Sequence, residues 1–106
     1  EFLRREHGVA PKNIRAAIGP CIRRQSCEVG PEFRDYFPLD TADTPQGLRF
    51  DIFSANLRQL TAAGVRPANI FDTGLCSFED KARFHSFRRD ADRSGRMLSV
   101  IMMETV

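Results

Sequence analysis

The feature that most constrains the fold is a short pattern that occurs twice in the chain. Residues 8–14 and 64–70 both read G-V-x-P-x-N-I. In each copy the glycine suits the left-handed turn that ends a helix, and the following valine can pack back on the last helical turn. Proline then prevents the helix from resuming, and asparagine suits the turn before a strand that starts at isoleucine. The pattern therefore predicts two similar helix–strand units.

A short apolar run follows each copy and stops at a glycine with a thiol close behind it. The first run, residues 14–18, leads to Cys21, and the second, residues 70–73, leads to Cys76. Two copies are too few for a solenoid. We expect the two runs to be strands whose ends bring Cys21 and Cys76 to comparable places.

The rest of the chain alternates the same kinds of element. Asp51 suits the N-cap of a helix that runs to about Ala63, and Pro31 suits the first turn of a short helix. Residues 38–47 are polar and carry two prolines, which predicts a surface loop. Residues 97–103 predict a final, largely buried strand. This alternation favours an α/β (α+β) fold of mixed, layered β-sheets with flanking helices.

Composition excludes several classes of function. The formal net charge of +2 is too small for a nucleic-acid-binding domain, and the apolar stretches are too short to cross a bilayer. The three cysteines are odd in number and spaced unlike a disulfide framework or a zinc knuckle. We therefore expect free thiols and a reducing, cytoplasmic location. The chain opens at Glu1 with what reads as the last turns of a helix, so we expect it to be the carboxy-terminal portion of a longer protein.

The densest polar cluster, residues 83–96, contains five arginines beside His85 and Ser86. Guanidinium groups bind carboxylate or phosphate oxygens in pairs, so this segment predicts a site for an anionic substrate. The alternative is a solvated hairpin in which the arginines pair with neighbouring aspartates and contribute little.

A second candidate is the segment after the first predicted strand, residues 19–30. Irregular loops at strand ends are where α/β folds build sites. Cys21 is a candidate nucleophile if a base lies near it, and Glu28 is a candidate acid or base. His7 and His85 are the only histidines, and neither stands at a telling distance from Cys21 in the sequence.

Three segments resemble the YfiH-type family. They are G-P-C-I followed by E-V-G at residues 19–30, D-I-F-S-A-N at residues 51–56, and F-H-S-F-R-R-D with G-R-M at residues 84–97. The matches run in order from about residue 14 to residue 103. That family was long described as laccase-domain or multicopper polyphenol oxidase and is now described as zinc-containing purine nucleoside phosphorylase. The chain departs from the family at Cys27, where an aromatic residue is usual, and at Arg23 and Arg24, where small residues are usual.

The resemblance implies that residues 1–106 are the carboxy-terminal portion of a single YfiH-type domain. It implies a zinc site of two histidines and one cysteine, but the motifs that carry those ligands lie upstream in the family and do not occur here. We therefore expect no metal ligand in this chain. The resemblance further implies phosphorolysis of purine nucleosides to base and ribose 1-phosphate, with adenosine deamination in relatives. The chain alone is expected to have little or no activity.

From residue chemistry we predict which side chains of this portion contact the purine nucleoside and phosphate. Ser86, Arg88 and Arg89 supply donors that suit phosphate oxygens, and Gly19 and Pro20 line the same pocket, where glycine lets a ligand approach the backbone. Assembly as a homo-oligomer is a further expectation.

Two other classes of function stay open on the sequence. The first is a zinc or thiol hydrolase that acts on a cell-wall precursor or an amide and depends on Cys21 or Cys76. The second is a binding or oligomerisation portion whose arginine-rich segment docks an acidic partner. Polyphenol oxidation ranks lowest, because two histidines make no copper constellation.

Overall fold

The computed structural model describes residues 1–104, so the last two residues of the predicted domain lie outside the described residues. Over these residues the chain combines helices with one parallel and one antiparallel sheet, which confirms the predicted α/β mix. The helices are α1 Phe2–His7, α2 Phe33–Tyr36, α3 Ile52–Ala62 and α4 Phe87–Asp90. The strands are β1 Ala16–Ile18, β2 Thr41–Thr44, β3 Gly47–Phe50 and β4 Ile70–Asp72.

The two copies of the repeated pattern form two helix-to-strand corners, as predicted. Gly8 ends α1 with a φ of 63°, and Gly64 follows α3 with a φ of 98°. The valine that follows the second glycine, Val65, is only 4% exposed. Pro11–Asn13 and Pro67–Asn69 then each form one turn of 3-10 helix before β1 and β4 begin.

The strands that follow the two corners pair with each other. β1 and β4 run parallel, with Ala16 opposite Ile70. Beyond their ends the pairing resumes in an isolated parallel bridge, where Cys21 lies opposite Cys76. The prediction that the two runs bring these cysteines to comparable places is confirmed.

The prediction of a loop over residues 38–47 is wrong. β2 lies within this stretch and pairs antiparallel with β3, with Thr44 opposite Gly47. Neither proline interrupts the pairing, because Pro38 precedes β2 and Pro45 lies in the turn between the strands. The apolar side chains of β3 face the core, and the polar residues of β2 obtain their strand conformation by pairing with it.

The hydrophobic core lies between β3, α2 and α3. Cys27, Phe50 and Ala55 are its buried members. The rings of Phe33 and Phe37 pack on Phe50, with centroid distances of 5.1 and 4.8 Å. The predicted short helix after Pro31 is therefore tied to the core by Phe33 within it and by Phe37 directly after it.

Helix α3 is the longest, with 11 residues. It begins as predicted, since the Asp51 carboxylate accepts a hydrogen bond of 3.0 Å from the Ser54 backbone N–H. It ends at Ala62, one residue before the predicted end. Nowhere in residues 1–104 is a helix long and apolar enough to cross a bilayer.

The predicted buried strand over residues 97–103 is also wrong. The segment has no strand conformation, and its large apolar side chains are 49 to 98% exposed. An apolar run has the propensity for a strand but needs a neighbour to satisfy its backbone hydrogen bonds. Within residues 1–104 no strand pairs with this segment.

Candidate functional site

The middle of the arginine-rich segment is helical, and the segment is not the hairpin that was considered as an alternative. The Ser86 hydroxyl accepts a hydrogen bond of 3.3 Å from the Arg89 backbone N–H and so caps α4, which a turn of 3-10 helix over Ala91–Arg93 follows. The pairing of arginines with neighbouring aspartates, which the same alternative predicted, does occur: Arg83 pairs with Asp80 and Arg89 pairs with Asp90. Ser86 is 8% exposed, so its hydroxyl faces the protein interior.

The Arg89 side chain is 16% exposed and binds groups of the protein itself. Its Nε and Nη2 donate to the Asp90 carboxylate at 2.9 to 3.2 Å. These bonds hold the pKa of Asp90 below its ordinary value. Nη1 and Nη2 also donate to the backbone carbonyls of Ser77, Phe78 and Phe84. Arg89 therefore fixes the backbone of residues 77–84 against α4.

Arg88, the neighbouring arginine, points to another part of the chain. Its Nη1 donates to the Glu28 backbone carbonyl at 2.7 Å, while its side chain is exposed. This bond brings the E-V-G segment and the S-x-R-R segment together, although they are far apart in the sequence. The two segments, which were predicted to line one pocket, are in contact through this hydrogen bond.

A second guanidinium reaches Glu28 from β3. The Nη1 atom of Arg49 lies 3.4 Å from Oε2 of Glu28, in an ion pair whose side chains are 15% and 68% exposed. That nitrogen is buried and has no hydrogen-bond partner among residues 1–104. Arg49 thus lies beside the Glu28 carboxylate, while Arg88 binds the backbone carbonyl of the same residue. Sequence reasoning missed Arg49; its signal was a charged residue between two buried positions of β3.

The Gly19-Pro20 corner connects to the same region through backbone hydrogen bonds. Both residues are exposed beyond the end of β1. The next residue, Cys21, accepts a hydrogen bond of 3.0 Å from the Ser77 backbone N–H. The carbonyl of the same Ser77 accepts a hydrogen bond from Arg89. Ser77 therefore links Arg89 to Cys21, the residue that follows Pro20.

Arg23 and Asp72 form an ion pair that the sequence did not reveal. Arg23 donates two hydrogen bonds to the Asp72 carboxylate, and its guanidinium lies 4.9 Å from the centre of the Phe53 ring. The bonds from Arg23 lower the pKa of Asp72, and the same contact raises the pKa of Arg23. Strand pairing alone could not have predicted this contact, because Asp72 lies opposite Ile18 and Arg23 reaches it from the loop beyond β1.

The three cysteines are free thiols. Cys27 lies in the core, where burial raises the pKa of its thiol. Cys21 is half-buried and Cys76 is buried. Among residues 1–104, the hydrogen bond to Cys21 Sγ comes from Arg23 Nη1 and not from His7 or His85.

Residues 1–104 match the protein family described as multi-copper polyphenol oxidoreductase laccase. The chain belongs to this family. It is 32% identical to a purine nucleoside phosphorylase of Bacteroides thetaiotaomicron, over 95% of this chain and 41% of that protein. It is 37% identical to the purine nucleoside phosphorylase YlmD of Geobacillus stearothermophilus, over 92% of this chain and 38% of that protein.

The fold is shared with a solved member of the family. The crystal structure of YlmD from Geobacillus stearothermophilus superposes with a TM-score of 0.75 and 31% sequence identity, covering 83% of this chain and 36% of that one. The chain therefore spans about two fifths of the length of these relatives. The predicted membership of the YfiH-type family and its mixed fold are confirmed.

The description of the family implies a bound metal, and the resemblance implies zinc. Within residues 1–104, no three His, Cys, Asp or Glu side chains come close enough together to hold a metal ion. The described side chains therefore do not fit a metal centre, and no step of the chemistry below is assigned to one.

Proposed function

We propose that the protein to which this portion belongs cleaves purine nucleosides with phosphate. In this reaction a phosphate oxygen attacks C1′ of the ribose and the bond from C1′ to the purine nitrogen breaks. The electron pair of that bond goes to the purine, which takes up a proton and leaves as free base, with ribose 1-phosphate as the other product. The names of two relatives at 32% and 37% identity support the proposal.

The convergence of Arg88 and Arg49 on Glu28 carries this proposal within the chain. Phosphate carries negative charge on several oxygens and is bound best by planar, multiply donating groups. Arg88 is exposed and spends one donor on the Glu28 carbonyl, so its other donors are available to a ligand. Arg49 contributes a second guanidinium, whose buried Nη1 lies 3.4 Å from the Glu28 carboxylate without making a hydrogen bond in residues 1–104. We assign the phosphate contact to Arg88, with Arg49 as the second positive charge.

The other predicted contacts take different roles in this proposal. Ser86 caps α4, and Arg89 donates to three backbone carbonyls. In this proposal both residues position Arg88 and do not themselves bind phosphate. Gly19 and Pro20 are exposed at the end of β1, and we assign to them the contact with the nucleoside. Positioning of this kind reduces the barrier by holding reactants in a productive geometry.

The remaining expectations extend the same proposal. Zinc, together with adenosine deamination, is assigned to residues outside this chain. A cytoplasmic location is supported by the three free thiols, which persist in reducing compartments. Assembly into a homo-oligomer stays a prediction.

The test is the release of purine base from adenosine and inosine by the whole protein, with and without phosphate. We expect release that requires phosphate and yields ribose 1-phosphate. Release without phosphate would instead assign the protein to the hydrolases, and oxidation of a phenol without base release would restore the polyphenol oxidase reading.

Arginine variants then test the contribution of this portion. We expect Arg88→Ala to raise the KM for phosphate by about tenfold or more, because a charge-assisted contact is lost. Arg34→Ala is the matched control, since Arg34 is also exposed and paired, but with Asp43 of β2. An unchanged KM for phosphate in Arg88→Ala, with base release intact, would remove the phosphate role from this residue.

A further inference from the structure

Cys21 and Cys76 face each other across two paired strand ends. The Cys21 N–H donates to the Leu75 carbonyl at 3.3 Å, and the Ser77 N–H donates to the Cys21 carbonyl at 3.0 Å. These two bonds place Cys76 directly opposite Cys21 in a parallel bridge. Paired strands lie about 4.8 Å apart, and facing residues project to the same side. Disulfides join Cα atoms about 4.4 to 6.8 Å apart, so the backbone already meets this requirement.

The two sulfur atoms also share a neighbour. The Arg23 backbone nitrogen lies 3.4 Å from Sγ of Cys76, and Arg23 Nη1 lies 3.9 Å from Sγ of Cys21. One residue therefore contacts both thiols, through its backbone nitrogen at Cys76 and through its guanidinium at Cys21.

Access to the two thiols differs in a way that suits stepwise oxidation. Cys21 is half-buried and open to a small oxidant, whereas Cys76 is 8% exposed. The third thiol, Cys27, is 4% exposed within the core beside Phe50 and Ala55. If Cys21 is oxidised first, the thiol opposite it is that of Cys76.

We propose that Cys21 and Cys76 are a reversible redox modification site that a peroxide converts into an intrachain disulfide. Hydrogen peroxide first oxidises the Cys21 thiol to a sulfenic acid and releases one water. The Cys76 sulfur then attacks the Cys21 sulfur, the sulfenic oxygen leaves with the two remaining protons as a second water, and the S–S bond forms. A thiol reductant such as dithiothreitol returns both thiols. This site is independent of the proposed phosphorolysis.

The test is peroxide treatment of the 106-residue chain, followed by alkylation of remaining thiols and peptide mass mapping under non-reducing conditions. We expect one product in which the Cys21 and Cys76 peptides are joined with loss of two hydrogen atoms, reversed by dithiothreitol. The Cys27→Ser variant should give the same product. Cys21→Ser and Cys76→Ser should give no intrachain link.

The wild-type chain in urea provides a control that needs no variant, because loop closure alone then decides which thiols pair. Along the chain, Cys21 and Cys76 are separated about nine times further than Cys21 and Cys27, so an unfolded chain favours the short pair by about 30-fold. We expect the native chain to favour the Cys21–Cys76 link by at least about tenfold, and the same chain in urea to show the reverse preference. A native product that joins Cys27 to either partner, links between two chains, or three thiols that stay free would each overturn the proposal.

Discussion

Arg23 and Asp72 form a two-bond ion pair that joins the loop after β1 to the end of β4. Nη1 lies 2.9 Å from Oδ1 and Nη2 lies 2.7 Å from Oδ2, and the two side chains are only 17% and 25% exposed. The guanidinium also stacks on the Phe53 ring of α3. These contacts fix the loop after β1 against β4 and α3.

Loss of the Asp72 charge should destabilise the chain. We expect Asp72→Asn to lower the free energy of unfolding by about 1 to 2 kcal/mol, because two charge-assisted hydrogen bonds weaken in a partly buried place. Urea unfolding monitored by circular dichroism gives the value. Asp43→Asn is the control: its pair with Arg34 is 50% and 77% exposed and should contribute less than about 1 kcal/mol. Equal losses in the two variants would contradict the prediction.

The same pair should make stability depend on acid pH. The hydrogen bonds from Arg23 put the folded-state pKa of Asp72 below its ordinary value of 3.8. The unfolded chain then binds the proton more tightly, so the stabilisation is complete above that ordinary value and is lost as the pH falls through the folded pKa. The difference in unfolding free energy between wild type and Asp72→Asn should therefore shrink below about pH 4. A difference that stays constant into strong acid would argue against this coupling.

The two glycines of the repeated pattern should differ in their tolerance of alanine. Gly64 has a φ of 98°, and an added Cβ would lie 3.0 Å from Cβ of Pro11 in the first copy. Gly8 has a φ of 63° and open space at the same position. We expect Gly8→Ala to cost about 1 kcal/mol, for the left-handed backbone alone, and Gly64→Ala to cost about 2 kcal/mol or more. Denaturant unfolding of both variants checks this ranking. Equal losses of unfolding free energy would show that Pro11 moves aside without a penalty.

The parts of the fold that were predicted correctly are those that a local pattern determines. Glycine, proline and asparagine at fixed spacing specify a helix end and a strand start without reference to the rest of the chain. Asp51 likewise caps α3 through a contact three residues away. The facing of Cys21 and Cys76 was predicted only as a similar placement, because the equivalent Ile14 and Ile70 are not opposite each other: Ile70 pairs with Ala16.

The parts that were missed depend on partners distant in the sequence. β2 is polar and is a strand only because β3 pairs with it. Residues 97–103 are apolar enough for a strand but have no pairing strand in residues 1–104. At the candidate site the sequence supplied the residue types, yet the split between Arg88 and Arg89 required the structure. Two adjacent arginines in a sequence do not indicate that Arg89 binds three carbonyls while Arg88 donates to the Glu28 carbonyl.

Arg88 and Arg89 should separate cleanly in a stability measurement. Truncation of Arg89 to alanine leaves the carbonyls of Ser77, Phe78 and Phe84 without their donor, and we expect a loss of about 3 kcal/mol in unfolding free energy. Arg88→Ala removes one hydrogen bond at an exposed side chain and should cost less than about 1 kcal/mol.

Lysine at each position sharpens the comparison between these two arginines. An ammonium group keeps the charge but has no planar fork, so Arg89→Lys cannot reach the three carbonyls and the Asp90 carboxylate together. We expect Arg89→Lys to recover only part of the lost stability, whereas Arg88→Lys stays as stable as the wild type. Thermal and urea unfolding of the four variants side by side checks this. If Arg88→Ala destabilised the chain as much as Arg89→Ala, Arg88 would be a structural residue and its donors would not be free for phosphate.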